Sequence, residues 1–406
     1  MNTSLRTKQT LAAGALGSLF LFACVLAQSQ TTNATPAPAT PVPPPLPVDL
    51  SESKYPLDQA HLFDPFWKSD TAYGESVSFI KENDADPIYG TLLFTPKKIL
   101  SVHSSDGKTE YVEGQDYTVD TAQRHLVLTP NSRIPSINRA DLYKQKGDPH
   151  SVAHKSDDPN IYLLYNEGWF RTIQVEVDYI RDEPWTGYTP QFAADLLPKT
   201  IAKLKSGAGL NICVTGDSIA TGANASNRTA PFMPGFVPLM GLGLKQAYGG
   251  TISVTNLARG GTWANGGVDK LPDTIATKPD LVIIAFGMND SDGHNPALYA
   301  KNVKGIIDGV KAALPDTEFI VVSSILPNPE WNWSPVDQFI PYRDALKPLV
   351  GPGVAMADMT QLWTDMMKNK RYLDFTGNGI NHPNDFGQRL YAKVLMSLLV
   401  DKPNSN

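Results

Sequence analysis

Residues 210–218 have the sequence LNICVTGDS, a short apolar run that ends in Gly216-Asp217-Ser218. The run predicts a strand over residues 210–215 that is apolar at nearly every position. Strands of this kind belong in a parallel sheet that is covered on both faces. The stretch therefore predicts an α/β domain and places Ser218 just beyond the carboxyl end of one of its strands.

The residues on either side of this strand alternate between short apolar runs and helical patterns. Further strands are predicted over residues 252–257, 281–286, 319–323 and 354–357, and helices over 191–205, 234–247, 296–314, 335–346 and 385–400. This order predicts a three-layer α/β/α domain over residues 188–406, built on a parallel sheet. Its active site is expected beyond the carboxyl ends of the strands.

Four loops at that edge of the sheet carry residues suited to acyl transfer. They contain Ser218, the pair Gly260-Gly261, Asn289 and His382. A histidine can take the proton of a serine hydroxyl at neutral pH. The Ser218 backbone N–H, a glycine N–H and an asparagine amide can stabilise the oxyanion that develops on the substrate.

These four blocks resemble those of the SGNH hydrolases, the GDSL-type esterases and lipases. Gly216-Asp217-Ser218 resembles the first block, Gly261 follows Asn256 by five positions as in the second, Gly287-Met288-Asn289-Asp290 resembles the third, and His382-Pro383 resembles the last. The resemblance covers about residues 208–400 and implies that the parallel sheet is flavodoxin-like. It implies a serine esterase with Ser218 and His382 as catalytic residues, an oxyanion hole formed by Ser218, Gly261 and Asn289, and no metal or organic cofactor.

The last block departs from the family pattern. The family places an Asp three residues before the His to orient the imidazole, whereas Gly379 occupies that position here. Three hypotheses remain: Asp374 reaches the imidazole, another acid does so, or a main-chain carbonyl accepts its N–H. Asp290 is expected to hold loop backbone in place, and Asp385 is expected in the first turn of the last helix.

Residues 51–187 predict a separate β-sandwich or jelly-roll-like domain. Val175, Val177 and Tyr179 alternate with polar residues, the period of a half-buried strand. Other short strands are predicted over residues 111–112, 117–119, 126–128 and 161–164, and turn residues separate them. Residues 141–159 are polar and predict a long loop.

The N-terminal residues predict export. Residues 1–27 hold a basic start and an uncharged apolar run over 11–26, as in a signal peptide. A lipidated Cys24 is the alternative, which would give a membrane anchor. Residues 28–50 are rich in proline and threonine and predict a linker. The expected location is therefore secreted, periplasmic or in the cell envelope. The other cysteine, Cys213, is expected to be a buried strand residue.

Tryptophans on the predicted rim loops bear on the substrate. Trp263, Trp331 and Trp333 could stack on sugar rings or pack onto the domain. Because no long apolar run lies near the blocks, an ester of a short acyl group such as acetyl on an oligo- or polysaccharide is expected. The alternatives are a lipase, thioesterase or acyltransferase of the same family, or a glycan-binding envelope protein with a degenerate hydrolase domain. A net charge of −6 and the absence of a basic stripe argue against nucleic acid as a partner.

Overall fold

The computed structural model describes residues 48–50, 61–83 and 86–401. The predicted signal peptide (1–27), Cys24 and residues 28–47 of the predicted linker lie outside them. The described residues belong to one compact unit, residues 44–406. We call residues 61–187 the β region and residues 188–401 the α/β region. We propose the division at residue 187 because mostly antiparallel strands precede it and a parallel sheet follows it.

Short strands make up the β region. Their bounds are β1 (Thr71–Ser78), β2 (Ile80–Lys81), β3 (Tyr89–Thr91), β4 (Pro96–Ser104), β5 (Tyr117–Asp120), β6 (His125–Leu128), β7 (Ile137–Asn138), β8 (Tyr143–Gln145), β9 (Ser151–Ala153), β10 (Ile161–Leu164) and β11 (Gln174–Arg181). One sheet has the order β1–β11–β4, a second β5–β6–β3–β2–β7, and a third β8–β10–β9.

The first two sheets pack against each other around apolar side chains. The central strand β11 buries Val175, Val177 and Tyr179, as their alternation predicts. Gly90 of β3 lies so close to Val77 that a methyl group there would collide with it, and it would also contact Phe79 tightly. The absence of a side chain at position 90 thus lets the two sheets approach.

Two predictions for the β region are wrong. Residues 111–112 do not form a strand, and the Tyr111 backbone N–H donates to the Val102 carbonyl from a loop. Residues 141–159 are not a simple loop, because they contain β8 and β9, which pair with β10. Each of these strands has only three residues, and most of their side chains remain partly exposed. No apolar alternation therefore marks them in the sequence.

The α/β region is built on a parallel sheet, which confirms the predicted fold class. Its strands are β12 (Leu210–Gly216), β13 (Ile252–Asn256), β14 (Leu281–Ala285), β15 (Glu318–Val322) and β16 (Val354–Ala357). The sheet has the order β13–β12–β14–β15–β16. The chain leaves β12 for the neighbour on one side and then crosses to β14 on the other. The carboxyl end of β12 is thus the point where the connections diverge and ligands bind in such sheets.

Helices cover both faces of this sheet. Their bounds are α1 (Pro198–Ser206), α2 (Phe236–Tyr248), α3 (Ala264–Asp269), α4 (Leu271–Ala276), α5 (Pro296–Ala313), α6 (Phe339–Leu346), α7 (Met359–Met366) and α8 (Asp385–Leu399). Helices α3, α4 and α7 were not predicted, since they have only six to eight residues. Helix α1 begins at Pro198 and not at residue 191, because the residue before a proline disfavours helical geometry.

Alternate residues of the strands pack into different cores. Along β14, Ile283 joins the core that α2 and α8 share with the β region, whereas Val282 and Ile284 face the core formed by α5 and α6. Cys213 is fully buried in the second core, as expected. Burial raises the pKa of its thiol to about 11, so the thiol is inert at neutral pH. Within the described residues, no helix combines the length and apolarity that crossing a membrane requires.

Candidate active site

Ser218 lies in a tight turn directly after β12. The Asp217 backbone N–H donates to the Ala285 carbonyl, which fastens the turn to the neighbouring strand. The Ser218 carbonyl accepts the Thr221 hydroxyl at 2.7 Å and the Ala223 backbone N–H at 3.1 Å. These bonds fix the backbone around Ser218 and leave its hydroxyl half-buried at the edge of the sheet.

His382 lies in a closed loop just before α8. The Gly377 backbone N–H donates to the His382 carbonyl at 2.8 Å. The Asn378 side-chain carbonyl accepts the backbone N–H groups of Ile380, Asn381 and His382. The loop brings the imidazole of His382 to Ser218, with 2.9 Å between Nε2 and the serine Oγ.

Asn224 meets the other side of the imidazole. Its Oδ1 lies 2.6 Å from His382 Nδ1. Asn224 has a φ of 63°, a conformation that asparagine tolerates better than most residues. Gly377 lies against Asn224 so closely that a methyl group at position 377 would collide with it. The sequence analysis missed Asn224; the available signals were its place six residues after Ser218 and its turn-forming neighbours.

Asp374 does not contact the imidazole, so the hypothesis that it orients His382 is wrong. Its carboxylate accepts the backbone N–H of Ser78 at 2.7 Å and that of Arg371 at 3.0 Å. It also pairs with the fully buried Lys370 at 3.4 Å. Asp374 therefore joins the α/β region to β1. The two alternatives, another acid and a main-chain carbonyl at Nδ1, are also wrong, since the acceptor is the side-chain amide of Asn224.

The hydrogen bonds assign the protons on His382. Oδ1 of an amide only accepts, so Nδ1 carries the hydrogen and Nε2 is left to accept from the serine hydroxyl. Burial lowers the pKa of His382 to about 4, and the negative charge of Glu167 opposes this shift. The imidazole is therefore neutral at pH 7 and able to accept a proton.

The loop after β13 lies beside Ser218. The Arg259 backbone N–H and the Thr262 hydroxyl both donate to the Gly216 carbonyl, at 3.0 and 3.1 Å. A Cβ on Gly260 would lie 3.8 Å from the Ser218 Cβ. Gly261 has a φ of 73°, which favours glycine, and its surroundings are open. The loop thus presents unhindered backbone next to the serine.

Asn289 and Asp290 follow β14 and hold the same loop. The Asn289 side-chain amide donates to the Thr262 carbonyl at 3.0 Å. The Asp290 carboxylate accepts the Ala264 backbone N–H at 3.0 Å, which confirms the expectation that it holds loop backbone. Burial raises the pKa of Asp290 to about 6. One amide hydrogen of Asn289 is thus used for positioning, and the second remains for a ligand.

The rim of the site carries exposed indoles. Trp263 is 38% exposed and follows Gly261 by two residues, and Trp333 is 56% exposed. Trp331, by contrast, is partly buried and forms an isolated β-bridge with His154. His294 is exposed. Among the residues that the structure describes, no three His, Cys, Asp or Glu side chains are grouped as metal ligands.

The β region takes part in this rim. Arg139 and Tyr143 both donate to the Glu330 carboxylate, and the Lys155 backbone N–H donates to the Glu330 carbonyl. The Asn166 backbone N–H donates to the Asn378 carbonyl at 3.2 Å, within the loop that carries His382. The third sheet and its flanking residues therefore contact both the loop that carries Trp331 and Trp333 and the loop that carries His382. The sequence did not predict these contacts.

Known proteins resemble the α/β region. Residues 214–390 match the model of the GDSL-like lipase/acylhydrolase family. None of the curated proteins matches the chain. Among solved structures, the chain is similar to a two-domain esterase active on acetylated mannans, with 20% identity and a TM-score of 0.42 over 54% of this chain and 58% of that one.

Two further solved structures show the same partial likeness. A lipase from a goat rumen metagenome is 17% identical, with a TM-score of 0.39 over 46% of this chain and 96% of that chain. An acetylxylan esterase from Geobacillus stearothermophilus is 17% identical, with a TM-score of 0.39 over 46% of this chain and 92% of that chain. The chain thus spans less than two thirds of the first of these three structures. On the match over residues 214–390, the α/β region carries a GDSL-like lipase/acylhydrolase domain, the domain of a family of carboxylic ester hydrolases.

Proposed function

We propose that this protein is an exported serine esterase that removes acetyl or similarly short acyl groups from carbohydrate. Ser218 is the nucleophile, His382 is the general base, and Asn224 positions the imidazole. The observation that carries the proposal is the continuous chain of hydrogen bonds from Ser218 Oγ through both nitrogens of His382 to Asn224 Oδ1. This order of groups is the arrangement that nucleophilic serine catalysis requires.

Acylation begins when Ser218 Oγ attacks the ester carbonyl carbon. Its proton moves to His382 Nε2, and a new bond between Oγ and the carbon forms as the carbonyl becomes an oxyanion. The N–H groups of Ser218 and Gly261 and the free amide hydrogen of Asn289 stabilise that oxyanion. A donor of this kind lowers the barrier by about 3 kcal/mol.

The intermediate collapses when the bond to the sugar oxygen breaks. His382 donates its Nε2 proton to that oxygen, so the sugar leaves as an alcohol. A water molecule then gives a proton to His382 and attacks the acyl-enzyme. The acid is released, and the proton returns to Ser218. Asn224 holds the Nδ1–H throughout, so Nε2 always faces the reacting oxygen.

Two features support a short acyl group on a carbohydrate. The loops that carry the candidate site, residues 216–224, 258–263 and 287–290, contain no long apolar run to hold an acyl chain. Trp263 and Trp333 present exposed indoles at the rim. An indole offers a flat apolar face with a polar edge, which suits a sugar ring.

The test compares p-nitrophenyl acetate with p-nitrophenyl palmitate on the wild type and on Ser218→Ala. We expect release from acetate only, and a loss of at least about 10⁴-fold in the variant. Ester hydrolysis that does not depend on Ser218 would refute the mechanism. A preference for palmitate would refute the short-acyl assignment alone. Release of acetate from acetylated oligosaccharides then tests the carbohydrate assignment.

The export proposal rests on residues 1–27, which lie outside the described residues. Fractionation of cells that express the full chain tests it. We expect the protein outside the cytoplasm, cleaved after Ala27 and free of lipid. Retention of the intact chain in the cytoplasm would contradict export. If a fatty acid supplied to the cells labels the wild type and the label is absent from Cys24→Ser, the protein is instead lipid-anchored.

A further inference from the structure

A polar groove lies on the β region, and Ser218 is not among the residues that line it. It has a volume of about 550 Å³. Its walls come from β7, β8 and the segment that follows β10, and they include Ser136, Asn138, Asp141, Lys144, Asn166 and Trp169. None of these residues belongs to the proposed catalytic machinery, so the groove calls for a separate explanation.

The lining suits a neutral ligand with many hydroxyl groups. All six of the named side chains can donate or accept hydrogen bonds, Trp169 through its indole N–H, and the charge of the single acid, Asp141, is balanced by that of Lys144. Trp169 adds an aromatic surface and packs edge to face against Phe170, with ring centroids 5.1 Å apart. A held aromatic ring surrounded by hydrogen-bonding groups is the usual chemistry for a sugar ring.

The groove adjoins the loop that carries His382. The Asn166 backbone N–H donates to the Asn378 carbonyl, and Gly379 packs against Leu164 and Phe170. Asn378 precedes His382 by four residues, a distance of at most about 14 Å along the chain. Glu167, between Asn166 and Trp169, is near enough for its charge to affect His382. One segment therefore borders both the groove and the catalytic imidazole.

We propose that this groove binds a neutral oligosaccharide, namely the sugar units next to the one whose ester Ser218 cleaves. The inference rests on the proposed carbohydrate esterase function and specifies its substrate: a chain of several sugars, and not a single acetylated sugar. The β region then selects the polymer, while the α/β region performs the hydrolysis.

The experiment separates binding from catalysis. Ser218→Ala protein is titrated calorimetrically with three non-acetylated probes: xylopentaose, mannopentaose and cellopentaose. Trp169→Ala and the double variant Asn138→Ala/Lys144→Ala are then made in the same background. Lys97→Ala/Lys98→Ala, on an exposed part of β4 outside the groove, is the matched control. Thermal unfolding checks that every variant is folded.

We expect at least one pentaose to bind, and both groove variants to weaken it by about tenfold or more. In enzymes with Ser218 restored, kcat/KM for p-nitrophenyl acetate should stay within about twofold of wild type, while KM for the acetylated pentaose rises. Binding of none of the three probes, or equal binding by the groove variants and the control, would overturn the groove proposal. Binding without cleavage of acetylated pentaoses would instead sink the carbohydrate esterase function.

Discussion

Asn224 Oδ1 lies 2.6 Å from His382 Nδ1, and it provides there the acceptor that an aspartate provides in the usual family pattern. The contact joins the turn after β12 to the loop before α8, 158 residues apart in sequence. A neutral amide fixes the orientation of the ring as a carboxylate would. It adds no negative charge, however, so burial dominates and lowers the pKa of His382 to about 4.

Two substitutions of Asn224 separate orientation from charge. Asn224→Ala removes the acceptor, so the ring loses its position and kcat/KM should fall on the order of 10²-fold. Asn224→Asp keeps an acceptor and adds a charge beside the imidazole. An adjacent opposite charge raises a histidine pKa by about 1–3 units. The acid limb of the kcat/KM profile should therefore move to higher pH.

The measurement is the pH dependence of p-nitrophenyl acetate hydrolysis. Because only the neutral imidazole accepts a proton, wild-type activity should decline as the pH falls toward about 4, the pKa of His382. The acid limb of the Asn224→Asp profile should lie at higher pH than that of wild type. Coincident limbs for these two proteins, together with full activity in Asn224→Ala, would exclude a positioning role for Asn224.

Asp374 should affect stability and not catalysis. Its carboxylate accepts two backbone N–H groups and pairs with the buried Lys370. Asp374→Asn removes one of the two carboxylates that Lys370 faces, the other being Glu75 at 2.9 Å, and should lower the free energy of unfolding by about 1–3 kcal/mol. The folded variant should keep kcat/KM within about twofold at 25 °C. Urea unfolding and esterase assays on the same sample check both points, and a large loss of kcat without loss of stability would contradict this assignment.

The family's aspartate has no room at position 379. Gly379 has a φ of 90°, and a side chain there would meet the Phe170 ring and the Leu164 carbonyl of the β region. Restoring the family pattern with Gly379→Asp should therefore destabilise the protein by about 2–5 kcal/mol and not raise kcat. Gly379→Ala, which adds the same strain without a carboxylate, is the matched control. Higher kcat at unchanged thermal stability in Gly379→Asp would show that the position accepts the family's residue.

The sequence predicts the structural features that depend on patterns among neighbouring residues and on the order of segments along the chain. The short apolar runs between residues 210 and 357 predict the parallel sheet, because a strand that is buried on both faces is apolar at nearly every position. Asn224 escaped prediction because its partner lies 158 residues away and because asparagines in turns are common. The same holds for Asn166 and Glu330, whose contacts join the β region to the rim. Contacts between distant segments leave no periodic trace in the sequence.

The last prediction concerns Asp385, the first residue of α8. Its Oδ1 accepts the Ser226 backbone N–H at 2.8 Å, while its Oδ2 is buried and has no hydrogen-bond partner among the described residues. Burial raises the pKa of Asp385 to about 6, above the value of 3.8 for an unperturbed aspartate. Between pH 4 and 6 the folded protein therefore binds the proton more tightly than the unfolded chain. Stability due to this group is present at low pH and is lost as the pH rises through that window.

Asp385→Asn should remove this dependence, because an amide stays neutral and its oxygen can still accept the Ser226 N–H. A pKa difference of two units corresponds to about 3 kcal/mol. The free energy of unfolding of the variant, relative to that of wild type, should therefore be higher at pH 8 than at pH 4 by up to about that amount. Urea unfolding at both pH values, compared with wild type, measures the gain. Asp308→Asn, which removes an exposed carboxylate of α5 that pairs with Lys304, is the surface control. Parallel pH profiles for wild type and Asp385→Asn would mean that Asp385 is already charged in the folded protein, with its Oδ2 hydrated.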